Sequence, residues 1–395
     1  MGGLLEGVRV LDLSQMLSGP YATLLLGDMG AEVLKIEEPG EGDRTRSMPH
    51  HHVGGLSGYF ISINRNKKSI TLDLKVPEAL EVFYDLVKKS DVVFDNFRPG
   101  VLERLKIDYP TLKKINPSII HVSITAFGYE GPYRELPAFD LTIQAIGGAM
   151  SVTGEPGGAP VRLGLPMGDI AGAVFASNAV TAALYKRIRT GEGSRVDVSL
   201  LDTLVSMHVY VGQYVLQGGE VPGPVGSGHQ SVVPYRAFKA SDDWFVIAVF
   251  TEKFWKLFAK AIGRPELDKD PRFATNPQRC IYRKQLFDIL DKQFISRTAK
   301  EWLKMLDEAG VPAAPINKLD KTYQDPQLLA RNMVVDMDIP NAGSVKTMGN
   351  PFKVLGEKEV FRAPARLGQH TVEVLQGLLC YSKEKIAQLR EKKAI

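Results

Sequence analysis

Over the first 200 residues, short apolar runs rich in β-branched side chains alternate with stretches of helical periodicity, the pattern of βαβ units. Residues 8–13 (VRVLDL), 32–36 (EVLKI), 69–74 (SITLDL), 91–95 (DVVFD) and 119–124 (IIHVSI) read as strands. Because these runs are continuous rather than alternating, the sheet they build is covered on both faces. Between them, 20–29 and 77–89 read as amphipathic helices, the second opened by Pro77, whose missing N–H costs nothing in a first turn. A longer helix begins after Gly168 and ends near Arg189, where TGEG supplies the stop. Its weakly polar stretch, 170–185, is interrupted by Ser177, Asn178 and Thr181 and is shorter than the ~20 residues that span a bilayer, so it reads as a buried core helix. Another helix covers 201–216.

The texture then changes. Residues 218–228 (GGEVPGPVGSG) cannot continue a helix and read as a linker or a loop against a ligand. Beyond them, 235–239 and 244–249 read as a β-hairpin, followed by helices at 251–262, 283–295 and 299–309. Residues 311–316, with short apolar side chains between two prolines, lead back out, and two helix signatures, HTVEVLQGLL and KEKIAQLREKK, close the chain. The division expected is 1–200 for the first part of a large domain, 201–225 for a linker helix and loop, 226–316 for a small domain, and 317–395 for the return and the rest of the large domain.

Composition narrows the function. A chain of 395 residues with 44% hydrophobic side chains is globular, not disordered or fibrous. Lys and Arg number 49 against 45 Asp and Glu, and a surplus of +4 is too dilute for a phosphate-tracking surface, so nucleic acid is not the expected partner. Only two cysteines, Cys280 and Cys380, are present, which gives neither a disulfide framework nor a CxxC metal clip and points to the cytoplasm. The opening MGGLLEGVRVLDLS has no basic region followed by a long apolar stretch, so neither a secretory signal nor a membrane partner is expected.

The segment VLDLSQMLSGPYATLLLGDMGAEVLKIE runs strand, loop, helix, strand, and the unpaired N–H groups opening such a helix attract anions. Gly19 and Gly27 lack the GxGxxG spacing, which argues against a dinucleotide and leaves a tight turn with a packed helix as the plainer reading. NRNKK at 64–68 and NFRPGVLER at 96–104 concentrate cations and amides beside strand ends, with Phe97 as an aromatic surface and Arg98 and Arg104 six apart. Phosphates want such donors and an adenine wants such a face, although either cluster alone reads equally as a solvated surface. Asp169, in GLPMGDIAGAVFASNAV, stands at the start of the long helix, where it could serve as an N-cap. Alternatively, Gly168, Ala171 and Gly172 clear space for a ligand to reach it, and a carboxylate of reference pKa near 3.9 can attack a carbonyl without a partner base. Such chemistry needs an oxyanion site, for which the Gly-rich GSGHQ at 226–230 is a candidate lid. Consecutive His50, His51 and His52 lack a carboxylate pair at ligand spacing, so no metal is expected; His208 and His229 are candidate polar site residues. No GxSxG elbow supports a hydrolase.

Taken together, VRVLDLSQMLSGPYATLLLGDMGAEVLKIEEPGEGDRTR, NRNKKSITLDL, DNFRPGVLERL, SITAFGYEGPY, IQAIGGAMSVTGEPGGAPVRLGLPMGDIAGA, TGEGSRVDVSLLD and GSGHQSVVPYRAF resemble the family III CoA-transferases. That family includes formyl-CoA transferase, carnitine CoA-transferase and α-methylacyl-CoA racemase, and the resemblance runs from Gly7 to LGQHTVEVLQ. It implies an α/β fold: a Rossmann-like large domain with a parallel sheet from both chain ends, a smaller α+β domain, and two chains interlocked as a homodimer. It implies that Asp169 is the nucleophile, that Leu17, Leu72, Asn96, Phe97, Arg98 and Arg104 contact coenzyme A, and that Gly226 and Gly228 form the glycine loop. Acyl-CoA and a small carboxylic acid would be substrates, with no tightly bound cofactor. Racemase members carry His-Asp where this chain has Phe139-Asp140 in the substrate vicinity, so one of the two bases a 1,1-proton transfer needs is missing. Formyl-CoA enzymes carry Tyr-Glu there, which argues against oxalate as acceptor. SVTGEPGGAP at 151–160 is similar to the branch that pairs succinyl-CoA with larger dicarboxylic or hydroxy acids. The expectation is a CoA-transferase, with acyl-CoA racemisation as the alternative and a non-catalytic CoA-binding subunit as a third.

Overall fold

The computed structural model describes residues 3–395, so Met1 and Gly2 of the opening read above lie outside it. Residues up to 147, with 164–208 and 326–395, form one compact unit; 148–163 and 209–325 form a second. The small domain read from sequence, 226–316, thus compares with a second unit that also takes in 148–163 and the helix before the Gly/Pro stretch.

The first unit is organised by a six-stranded parallel sheet: β1 (Arg9–Asp12), β2 (Glu32–Glu37), β3 (Lys67–Thr71), β4 (Val92–Asp95), β5 (Ile120–Thr125) and β6 (Ser194–Ser199). Their order is 3-2-1-4-5-6, the doubly wound order in which ligands gather where the winding reverses, between β1 and β4. The helices between them are α1 (Ser18–Asp28), α2 (Gly58–Asn64), α3 (Pro77–Lys88), α4 (Val101–Leu105), α5 (Tyr109–Ile115), α6 (Asp140–Ile146) and α7 (Met167–Thr190), and α8 (Leu200–Ser206) follows β6. The two faces of the sheet differ. Leu11, Leu34, Ile36 and Ile70 point into a dry core with Val82, Phe83 and Leu86 of α3. Their alternate neighbours Asp12, Lys35 and Lys67 point the other way and are as fully buried, each at most 5% exposed.

In the second unit, α9 (Val209–Gly218) precedes an antiparallel sheet of β7 (Tyr235–Lys239), β8 (Trp244–Ala248) and β9 (Ala313–Pro315), backed by α10 (Glu252–Ala261), α11 (Arg283–Phe294) and α12 (Ala299–Glu308). Phe238, Phe245, Phe258, Phe294, Trp255 and Trp302 fill its core, and the Trp302 indole N–H donates to the Phe294 carbonyl (2.8 Å).

Four expectations are corrected. The parallel sheet does not draw on both chain ends: among the described residues all six strands fall between Arg9 and Ser199. The C-terminal part supplies β10 (Val334–Ile339) and β11 (Gly343–Met348), paired only with each other, and α13 (Thr371–Gly377) and α14 (Lys383–Glu391), whose Val374, Leu375, Ile386 and Leu389 complete the core beside α3. The 201–216 helix is two helices, broken at Met207–His208, where the His208 imidazole bonds the Gly147 carbonyl (2.7 Å). Residues 313–315 are not a plain exit but an edge strand on β8. Finally, α7 is long and apolar enough to cross a membrane by length and composition, yet it lies against α1, β5 and α8 with one side open, Phe175, Tyr185 and Ile188 being exposed.

Candidate active site

The loop leaving β1 carries no glycine turn, and side chains hold its backbone instead. The Ser14 N–H donates to Asp12 Oδ1 (3.0 Å), and the Ser14 carbonyl accepts from Lys35 Nζ (2.7 Å). Asn96, just past β4, receives the Gln15 N–H (2.9 Å) and donates to the Gln15 carbonyl (2.7 Å), tying together the loops on either side of the winding reversal. Met16 sits at φ 68°, in the left-handed region, with its N–H directed at Asp43 Oδ1 (3.3 Å). Underneath, Asp12 Oδ2 takes Thr23 Oγ1 (2.7 Å) and Lys67 Nζ (3.1 Å). Burial alone would raise the Asp12 pKa, but Lys67 and Lys35 outweigh it and hold the carboxyl at about 2. Burial pushes the Lys67 ammonium down to about 8. Gly19 lies one turn from this lock, and a Cβ there would stand 2.2 Å from Ser14 Cβ. We expect Gly19→Ala to lose about 1–3 kcal/mol in urea denaturation, because Ser14 has no room to yield; an unchanged midpoint would contradict the close packing of loop and helix.

At the C-terminal edge of the sheet, Leu13, Leu72, Leu80 and Phe97 line a cleft of about 620 Å³, with Arg104 and Lys75 among its lining cations. That volume suits a cofactor-sized molecule with an apolar ring. Phe97 is set by its N–H on Asp95 Oδ1 (3.0 Å) and packs on the core, and Gly100, at φ 84°, turns the chain into α4, which carries Arg104. Three of the six residues expected at coenzyme A, Leu72, Phe97 and Arg104, therefore share one cleft. Asn96 works differently, its amide spent on Gln15. Arg98 is exposed, and Leu17, half-buried, is the N-cap of α1. Lys75, which the sequence reading missed, lines the cleft and pairs with Glu38 (2.7 Å).

Asp169 is not the N-cap of α7, a position held by Pro166, but lies within its first turn. The opening N–H groups of Gly168 (2.8 Å) and Asp169 (3.4 Å) are taken by the buried carboxylate of Asp140, which also accepts from Gln144 Nε2 (2.6 Å). The small residues around Asp169 accordingly make room for protein: a Cβ on Gly168 would stand 3.0 Å from Asp140 Oδ1, and one on Gly172 2.5 Å from Leu200 Cδ2. Phe139, N-cap of α6, is exposed. Burial, then the charge of Asp140, pushes the Asp169 carboxyl up to about 6, against a hydrogen bond from the Ser18 hydroxyl at the head of α1. One short stretch leads from the cleft toward the carboxylate: Leu13 and Gln15 line the cleft, and Ser18 opens α1, which packs on α7 and its first-turn Asp169. Tyr59, on α2, was also missed; burial and then the Asp169 charge raise its phenol pKa, which puts the hydroxyl within electrostatic reach of the carboxylate. No local pattern marked it, because it reaches the site only through the fold.

Gly226 and Gly228 belong to the second unit. The Gly226 N–H donates to the Gly154 carbonyl (2.8 Å) and the Gly228 N–H to the Val225 carbonyl (2.9 Å), so both donors are occupied there. Gly226, at φ 61°, has the Glu155 carboxylate 2.7 Å from where its Cβ would be. The His229 imidazole stacks on Tyr210 (ring centroids 5.4 Å apart), meets its hydroxyl (3.1 Å) and accepts the Ser231 N–H (3.0 Å). The Gly-rich 226–230 segment, the candidate lid, is therefore tied at several points. His50 and His51 are exposed loop residues at positive φ.

Comparison with known proteins agrees with this geometry. The family model for CoA-transferase family III matches residues 5–371. The chain is 36% identical to succinyl-CoA:glutarate CoA-transferase of Homo sapiens, covering 98% of this chain and 88% of that protein. It is 38% identical to succinyl-CoA:mesaconate CoA-transferase of Haloarcula hispanica, covering 94% and 96%. A crystal structure of a CAIB/BAIF family protein from Brucella suis superposes with a TM-score of 0.85 at 34% identity, over 96% of this chain and 100% of the other. A doubly wound sheet with a cofactor-sized cleft at its reversal, and a family match across most of the chain, lead to one conclusion: this chain belongs to CoA-transferase family III and is a CoA-transferase.

Proposed function

We propose that the chain moves CoA from succinyl-CoA to a free dicarboxylic acid, with Asp169 as the covalent relay. The observation that carries this reading is the placement of Asp169 in the first turn of α7, against which α1 packs as it leaves the β1–α1 loop that lines a cleft of about 620 Å³. A carboxylate of pKa about 6 is mostly ionised at pH 7 yet more basic than a solvated one, so it attacks an acyl carbon without a general base. Its attack on the thioester carbonyl expels CoA thiolate and leaves a mixed anhydride between Asp169 and succinate. The thiolate returns to the aspartyl carbonyl, releases succinate and leaves an Asp169–CoA thioester. The acceptor carboxylate then displaces thiolate from that thioester, and thiolate attacks the acceptor's acyl carbon, restoring Asp169. Every bond broken is replaced by one of its kind, so no net proton or oxidant is required.

In this reading Leu72, Phe97 and Arg104 hold the nucleotide end of CoA, with Leu17, Asn96 and Arg98 shaping the loops around it. Ser18 and the first N–H groups of α1, which have no helical acceptors, are the donors available to an oxyanion. Because the N–H groups of Gly226 and Gly228 are occupied, we assign these glycines conformational freedom for their loop rather than the donors themselves. The open apolar sides of α7 and α9, with Phe175, Tyr185, Ile188 and Leu216 exposed, fit burial in a homodimer. Free Cys280 and Cys380 fit a reducing compartment such as the cytoplasm. Two relatives that use succinyl-CoA support the donor, and Phe139 in place of a histidine base disfavours racemisation. The test is a donor–acceptor matrix read by new thioester. Succinyl-CoA with C4 to C6 dicarboxylates should turn over fastest; turnover confined to acetyl-CoA with oxalate, or α-proton exchange without an acceptor, would refute the assignment.

A further inference from the structure

We propose that Lys35 is a positioning residue for the transfer reaction, fixing the Ser14–Met16 backbone that presents Ser18 to Asp169. The proposal rests on the assignment of Asp169 as nucleophile, but it concerns a residue that the reaction scheme does not use. Lys35 lies on β2, is 1% exposed, and faces the α1 side of the sheet, where an apolar side chain would ordinarily pack. Its ammonium does two things at once. It donates to the Ser14 carbonyl (2.7 Å), which would otherwise be a buried acceptor without a partner, and it forms an ion pair with Asp43 Oδ2 (2.9 Å).

Asp43 passes that hold onward. Its Oδ1 receives the Thr45 N–H (2.9 Å) and hydroxyl (2.8 Å) and faces the Met16 N–H (3.3 Å). A non-glycine residue at φ 68° persists only when its surroundings over-determine it; Lys35 holds the Ser14 carbonyl and Asp43 faces the Met16 N–H, while Asn96 takes the N–H and carbonyl of Gln15 between them. Lys67 performs the matching task one step on, donating to the Pro20 carbonyl (2.8 Å) inside α1. Buried ion pairs are poor contributors to stability compared with well-packed apolar residues, so their concentration beneath this one loop points to geometry rather than stability. The loop lies at both ends of the chemistry: Leu13 and Gln15 line the cleft, and the loop runs into Ser18 at the head of α1, the helix that packs on α7, whose first turn carries Asp169. A displacement of about 1 Å there is enough to slow a positioned attack on the order of a hundredfold.

The test is the paired variant Lys35→Met with Asp43→Asn, which removes the ammonium without leaving a lone buried charge and keeps an oxygen for Met16 and Thr45. Single-turnover formation of the Asp169–CoA adduct should slow ten- to a hundredfold, while the Kd for CoA, held by Leu72, Phe97 and Arg104, stays within about threefold. Asp43→Asn alone, as a milder change, should slow it about three- to tenfold, and serves if the paired variant does not fold. Folded variants that form the adduct at the wild-type rate overturn the role of Lys35 and leave Asp169 untouched. Failure of the wild-type protein to form any adduct at Asp169 overturns the assignment on which the role depends.

Discussion

Asp169→Ala is expected to lower the rate of CoA transfer at least about a thousandfold, since in the proposed route both displacements pass through that carboxylate. The same variant should bind CoA within a few-fold of wild type, because Leu72, Phe97 and Arg104 line a cleft that does not include residue 169. It should also be more stable at neutral pH. The folded state raises the Asp169 pKa from 3.8 to about 6, which disfavours the ionised form by on the order of 3 kcal/mol. For an acid whose folded pKa is raised, the penalty is full above the folded pKa and is relieved as pH falls through about 6 toward 3.8. The stabilisation seen on removing the carboxyl should therefore be largest above pH 6 and vanish below about pH 4. An inactive variant that had lost its fold or its CoA affinity would mean that Asp169 serves structure or binding. Rate, equilibrium dialysis and chemical denaturation at two pH values measure all three.

The second large effect is on pH. A carboxyl with a pKa of about 6, such as the proposed nucleophile Asp169, is about ten parts ionised to one protonated at pH 7, and the ratio reverses at pH 5. The kcat/KM for succinyl-CoA should fall about tenfold per pH unit below 6, reaching a loss of about a hundredfold at pH 4, with a plateau through neutrality. After burial, Asp140 is the charge that raises the Asp169 pKa, so Asp140→Asn should move the lower limb to more acid pH. A lower limb near 4 in the wild-type protein would mean that the carboxylate is solvated, and an unmoved limb in the variant would remove Asp140 from the account.

Much of the fold was legible because the strands β1, β2, β4 and β5 are buried and announce themselves as largely apolar runs; β3 (KKSIT), expected at 69–74, stands at 67–71 because its two lysines hide its start. β6, with sequence SRVDVS, escaped: it is an edge strand whose Arg195 and Asp197 interrupt any such run. The β10–β11 hairpin escaped because it pairs only with itself and is half solvated. The break before α9 escaped because the apolar pattern runs on past it, while Val209 takes a positive φ of 40°. Phe97 and Arg104, which line the cleft, had been singled out because aromatic and cationic residues at a strand end signal ligand chemistry by type. Asp169 was singled out for the wrong local reason: its small neighbours admit Asp140 and Leu200, and its pKa is two units above the reference value the sequence reading assumed. Lys35 and Lys67 were invisible, since a lysine within a strand reads as an outward-facing side chain until the fold buries it. Tyr59 carries no local signal, and the electrostatic reach between its phenol and Asp169 exists only in three dimensions.

The central claim is that the Asp169 carboxyl becomes covalently bonded during turnover. Incubating the protein with succinyl-CoA alone, reducing the trapped thioester with borohydride, and sequencing the peptide that spans residue 169 by mass spectrometry tests it most directly. The expected result is conversion of the Asp169 side chain to the corresponding alcohol in proportion to active sites, absent without succinyl-CoA. An unmodified residue 169 in a fully active preparation, or modification at another residue in its place, would contradict it.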